Sequence, residues 1–209
     1  MFDNLTEREV DATNKLLRFG LSKAAKALQS VLGSETNLVS FDTTLDRVLD
    51  VPQYCTKTEN KTHLLKTELV GDIKGFCHLI FSEDEVQKIQ NVGLPEEVLM
   101  TNNPETRLMK LEFLTEIDNM VAGSVITQLA NFLDLEIYGN VPSLHVMQAS
   151  EVNKYIQAES AVYDSKVEFR AIFNIPELNV RPEFVWLLQE SFLNKMKDNA
   201  EQVLTREII

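Results

Sequence analysis

The sequence predicts an α+β fold in which two pseudo-symmetric helix-strand-strand-strand repeats form one largely antiparallel sheet with long helices packed on it. Three observations carry this. Two long amphipathic segments, 7–33 and 107–134, superpose with Leu28 on Leu129. Each is followed by short runs of strand character. The runs HLLKTELV and FCHLIF meet at a turn bracketed by Gly71 and Gly75, which reads as an antiparallel hairpin.

Taken in order, helix one sets Leu17, Leu21, Ala24, Leu28 and Val31 on one face and stops at Gly33. A strand near Asn37–Phe41, a small amphipathic segment through Leu45 and Val48, and Pro52 lead to the hairpin, and Asp84–Asn91 forms a short helix behind it. Ser82 ahead of Glu83, Asp84 and Glu85 gives that helix a dipole-favoured start. The linker NNPETR (102–107) then opens repeat two. Its long helix is followed by a strand around Leu135–Tyr138, a segment near Leu144–Met147, a short helix around Ser150–Ile156, and strands near Ala161–Tyr163 and Lys166–Phe173. Pro182–Lys197 reads as a C-terminal helix, strongly apolar through Phe184, Trp186, Leu187, Leu188 and Phe192, which core packing or a partner surface could both require. The linker is short and neither half has enough strands to bury a sheet face alone, so residues 1–209 are expected to form a single domain, with repeat one at about 7–100 and repeat two at about 107–200.

The chain has 209 residues and is 44% hydrophobic, enough for a sizeable core. A formal charge of −12 opposes nucleic acid or an anionic membrane as the main partner. No apolar run reaches the roughly 20 residues that cross a bilayer, and MFDNLTEREVDA lacks the form of a secretory signal, so a cytoplasmic location is expected. Cys55 and Cys77 are then reduced and structural. His63, His78 and His145 are scattered without Glu or Cys at metal-ligand spacing, so no metal site is expected, and neither a phosphate loop nor a nucleophile elbow occurs.

Chemistry concentrates on the second long helix. Leu114, Val121, Val125, Leu129 and Phe132 gather on its core face, and Glu116, Asn119, Gly123 and Thr127 line the opposite one. The core needs neither Glu116 nor Asn119. A carboxylate and a carboxamide one turn apart, followed by a glycine, form a stripe that another protein could approach closely, although an ordinary solvated face carries such residues too. In helix one the matching positions are Lys15, Arg18, Ser22 and Lys26. Neither lysine nor arginine accepts a hydrogen bond, so the acceptor chemistry of the Glu116/Asn119 pair is absent there. That stripe is either a drifted solvated face or a basic surface for an acidic partner.

These residues resemble the CheC/CheX/FliY family of phosphatases, whose fold is shared with the middle domain of FliM. The segment FLTEIDNMVAGSVITQL (113–129) keeps a Glu-x-x-Asn signature as Glu116 and Asn119, then Gly123 and Leu129. Asp11-Ala12, the run Ala24-Ala25-Lys26-Ala27-Leu28 and the hairpin with Gly71, Gly75 and Phe81 support the likeness. The resemblance implies a hydrolase for the aspartyl-phosphate of a CheY-like response regulator, acting in chemotaxis or other two-component signalling. Asn119 orients the attacking water, Glu116 anchors the receiver, and Gly123 and Thr127 extend the partner-binding stripe. It further implies no cofactor beyond Mg2+ supplied by the regulator, a CheD-like protein as a further partner, a monomer, and a single intact site, the first being degenerate at Lys15 and Arg18. A non-catalytic adaptor for a regulator or the flagellar switch is the alternative the same fold offers.

Overall fold

The computed structural model describes residues 5–43, 53–58, 61–162 and 166–206. Helix α1 (Glu7–Leu32) starts at a capping box made by Thr6 and Glu9 and stops at Gly33, whose φ of 63° is the left-handed turn glycine allows. Strands β1 (Asn37–Thr43), β2 (Thr62–Gly71) and β3 (Gly75–Ser82) follow, then α2 (Glu83–Gly93) and the short α3 (Glu96–Met100). The second half runs α4 (Pro104–Leu133), β4 (Ile137–Gly139), β5 (Ser143–Met147), α5 (Ala149–Ser160), β6 (Lys166–Asn174), β7 (Glu183–Gln189) and α6 (Ser191–Thr205). The segment around Leu45 and Val48, together with Pro52, lies outside the described residues.

All the strands join one antiparallel sheet in the order β1-β6-β7-β3-β2-β4, with β5 continuing the β4 edge along β2. Exchanging β1 with β4, β2 with β6 and β3 with β7 reverses that order onto itself. The pseudo-twofold axis therefore passes between β3 and β7, and the sheet is shared by both repeats. One face carries α1, α4 and α6 over Leu65, Leu79, Phe81, Phe169, Phe184 and Trp186. The other packs Leu64, Ile80, Val185 and Leu187 against Val152 and Ile156 of α5 and against Tyr54 and Cys55. Glu159 of α5 also reaches the sheet, pairing with Lys66 and, at 2.7 Å, with the buried His78. Both cysteines are buried and free. Among the described residues no helix is long and apolar enough to cross a membrane.

Three sequence expectations are corrected. Residues 183–189 form β7, a central strand, where a helix over 182–197 was expected; α6 starts only at Ser191. The run EFVWLLQ is apolar on successive residues because a strand between two covered faces needs no polar side, and periodicity alone does not separate such a strand from a buried helix. Phe184 and Trp186 point to the helix-covered face and Val185 and Leu187 to the α5 face. At 102–107, α4 already begins at Pro104, with Asn103 as N-cap accepting from the Thr106 amide, so the junction between repeats is shorter than expected. Ala161 and Val162 close α5 as a turn and form no strand; Tyr163 lies outside the described residues.

Candidate functional site

The site is built on α4, 30 residues and so roughly 45 Å long. Leu114, Ile117, Val121, Val125 and Leu129 are buried on its underside. That anchored face fixes the helix rotation and leaves Glu116, Asn119 and Thr127 exposed, with Gly123 between them. Glu116 and Asn119, three residues apart, stand as neighbours on one turn. Among the described residues neither side chain takes part in a hydrogen bond or ion pair, so carboxylate and carboxamide are both available to an incoming molecule.

Helix α1 lies antiparallel beside α4. Gly20 meets Val125, where an added Cβ would sit 2.9 Å from the valine Cγ1, and Phe19 packs edge-on against Phe132 with centroids 5.5 Å apart. Past this close crossing the helices leave an open depression of about 400 Å³, lined by Lys23 and Ala27 from α1 and by Asn119, Gly123, Thr127 and Gln128 from α4. A Cβ added at Gly123 would meet nothing within 4 Å. Gly20 is demanded by the protein's own packing and Gly123 is not. A mid-helix glycine costs about 1 kcal/mol relative to alanine, and no described neighbour of Gly123 requires it.

Beneath the stripe, Asp118 is completely buried and its Oδ2 accepts from the Thr67 hydroxyl of β2 at 2.7 Å. Burial pushes its carboxyl up to about 7, against the lowering pull of that hydrogen bond. The corresponding α1 residue is Leu17. The sequence gives no sign of this acid inside the core: Asp118 stands between buried Ile117 and exposed Asn119, where a polar residue at the boundary of a face is ordinary.

The matching stripe on α1 differs: the expectation of a solvated or partner-facing basic surface is corrected for Lys15, while Arg18 is exposed. Lys15 Nζ donates to the carbonyls of Val203, Leu204 and Arg206 at 3.1, 2.8 and 3.3 Å, capping the C-terminus of α6. A cation there satisfies orphan carbonyls and complements the helix dipole. The Arg18 guanidinium lies 4.6 Å from the centroid of the Phe41 ring on β1. The covering helix α6 has 15 residues, whereas its counterpart α2 has 11 and ends at Gly93, tightly against the Phe113 ring.

No family model matches the sequence. Solved structures do match in shape. FliY of Thermotoga maritima superposes with a TM-score of 0.63 over 96% of this chain and 99% of its own, at 17% identity. A chain of the FliM–SpeE complex from H. pylori gives 0.61 over 94% and 98%, at 11% identity. A chain of the CheX–CheY–BeF3–Mg2+ complex from Borrelia burgdorferi gives 0.56 over 84% and 98%, at 13% identity. The fold is that of FliY, CheX and FliM. Within this fold, Glu116 and Asn119 sit on the exposed side of the second repeat's long helix, and the first repeat's long helix carries Lys15 and Arg18 in their place.

Proposed function

We propose that the protein hydrolyses the aspartyl-phosphate of a CheY-like response regulator through one site, centred on Asn119. The observation that carries this reading is the pairing of Glu116 with Asn119, exposed and unengaged on a rigid helix, beside an open depression and a glycine that internal packing does not require. One structure of similar fold is a complex of CheX with CheY, BeF3 and Mg2+.

An acyl phosphate already carries a good leaving group, so a phosphatase for it needs positioning more than a nucleophile of its own. Asn119 has both functions such positioning uses. Its carbonyl accepts from the attacking water and its NH₂ donates to a phosphoryl oxygen. The water oxygen–phosphorus bond forms in line as the bond from phosphorus to the aspartate oxygen breaks; the carboxylate leaves, and the water proton passes to the phosphate product. Glu116 takes no part in that exchange. It pairs with a lysine of the receiver and sets the docking register. Mg2+ held by the regulator neutralises phosphoryl charge. Gly123 and Thr127 continue the contact, the glycine admitting the partner's backbone.

The test follows loss of phosphate from phosphorylated CheY-type receivers. The wild-type protein accelerates loss of phosphate and Asn119→Ala does not, although both bind the receiver. Binding without acceleration by the wild type supports the adaptor reading instead, for which the shape likeness to FliM is the favouring observation.

A further inference from the structure

One residue of the Asn119 turn faces the sheet and takes no part in the proposed hydrolysis. Asp118 has no exposed surface, Ile117, Val121 and Ala122 are buried with it, and its Oδ2 accepts from the Thr67 hydroxyl at 2.7 Å. Thr67 is itself buried on β2, where its backbone pairs with Cys77 of β3. Gly139 of β4 crowds its methyl, since a Cβ added there would stand 2.7 Å from Thr67 Cγ2. A branched side chain so confined keeps one rotamer, and its hydroxyl is a fixed point in the sheet. The other buried residues of this turn are apolar, and apolar contact sets no direction. A hydrogen bond does. The Asp118–Thr67 bond therefore ties the rotation and height of α4 to the sheet at the residue next to Asn119, whose carboxamide has to meet water and phosphoryl oxygen in line. A leucine buries at lower cost than a carboxyl, and Leu17 holds the matching place on α1, the helix with Lys15 and Arg18 in its stripe.

We propose that Asp118 is a positioning residue for Asn119, acting through its hydrogen bond to Thr67. The proposal rests on the phosphatase reading of the site. Among the described residues Asp118 Oδ1 has no hydrogen-bond partner and no cation of a neighbouring element bears on the carboxyl; the titratable group near it is the Cys77 thiol on β3, which burial pushes well above its usual range. Ionisation would leave a buried anion with one oxygen unpartnered, and the turn relieves that cost by yielding toward water. Burial raises the carboxyl to about 7, so the Asn119 geometry is held below about pH 7 and loosens above it.

The experiment follows dephosphorylation of a phosphorylated CheY-type receiver from about pH 5.5 to about pH 8.5, each rate divided by the receiver's own decay at that pH, with receiver binding measured alongside. Wild-type kcat is expected to fall above about pH 7. Asp118→Asn keeps the acceptor and cannot ionise, so it holds its acid-side rate across the range. Thr67→Val and Asp118→Leu lower kcat about three- to tenfold with KM and Kd within about twofold, because orientation is lost and contact is kept. Thr67→Ser restores the rate. A role in stability alone moves melting temperatures and leaves kcat per folded molecule in place. Hydrogen exchange gives a second readout in the free protein: protection of the amides of residues 116–120 drops above about pH 7 in wild type and not in Asp118→Asn. A kcat unmoved by Thr67→Val and Asp118→Leu, in a protein that does accelerate hydrolysis, overturns the positioning role and leaves the phosphatase reading standing. A wild type that binds without turnover, yet shows that exchange pattern, overturns the phosphatase and keeps the hold of Asp118 on the Asn119 turn. Absence of both turnover and the pattern overturns both.

Discussion

Helices α1 and α4 share a register of buried residues, Leu28 and Leu32 matching Leu129 and Leu133, and a place on the same sheet face, yet their outward sides differ. On α4 the stripe Glu116, Asn119, Gly123, Thr127 is left open. On α1 Lys15 is engaged from within by the end of α6, and the exposed Arg18 lies over the Phe41 ring. The cause is local. The helix after the β6–β7 hairpin is longer than the one after β2–β3, and its extra length brings its terminal carbonyls to Lys15. On the proposed reading α4 offers its stripe to a partner, whereas Lys15 of α1 serves the protein's own cohesion.

The largest expected effect tests the open helix. Asn119→Ala should lower dephosphorylation by about a hundredfold or more, the usual scale for losing one aligned polar group at a reacting centre, while the melting temperature stays put because the side chain is exposed. Next comes the closed helix. Lys15→Met leaves the α6 carbonyls without their donor and should cost about 1–3 kcal/mol, read as a lower melting temperature and faster amide exchange in α6, with turnover per folded molecule unchanged. The double variant Lys15→Glu/Arg18→Asn sharpens the contrast. It writes Glu-x-x-Asn into α1, and it should still give no second active site, because a carboxylate replaces the donor at the α6 end. Two productive sites in that variant would show that the difference between the helices lies in those residues alone.

Core composition separates the helices as well, since α4 buries Asp118 where α1 buries Leu17. The folded-state carboxyl is raised to about 7 from 3.8, so the fold holds the proton more tightly than the unfolded chain. Stability from this group is fully present below about pH 4 and is lost as pH rises to about 7, by at most about 1.4 kcal/mol per pH unit. Unfolding in denaturant across pH 4–8 checks this: Asp118→Asn should remove that part of the slope. The smallest effect belongs to glycine. Gly123→Ala should stabilise the free protein by about 0.5–1 kcal/mol while weakening receiver binding, whereas Gly20→Ala should destabilise it, since its methyl would press on Val125.

What the sequence made legible follows from what periodicity can encode. The α4 face was readable because its buried residues recur at helical spacing and the unused side then stands out. The duplicated plan was readable because hairpin and helix follow one another in the same order twice. The C-terminal strand was not, because burial on both faces erases the alternation that marks a strand. Lys15 was misread for another reason. Its partners are backbone carbonyls 188 residues away or more, which have no side-chain identity for a sequence to display. Lys23 lay hidden likewise, since only the antiparallel crossing of α1 and α4 brings it beside Asn119.

The length of α6 has a consequence for stoichiometry. A duplicated molecule with both faces free could hold two regulators at once and gain from tethering the second near the first. On the proposed single-site reading, with Lys15 held by α6, titration with a receiver should saturate at one equivalent, without avidity, and output should track receiver concentration hyperbolically.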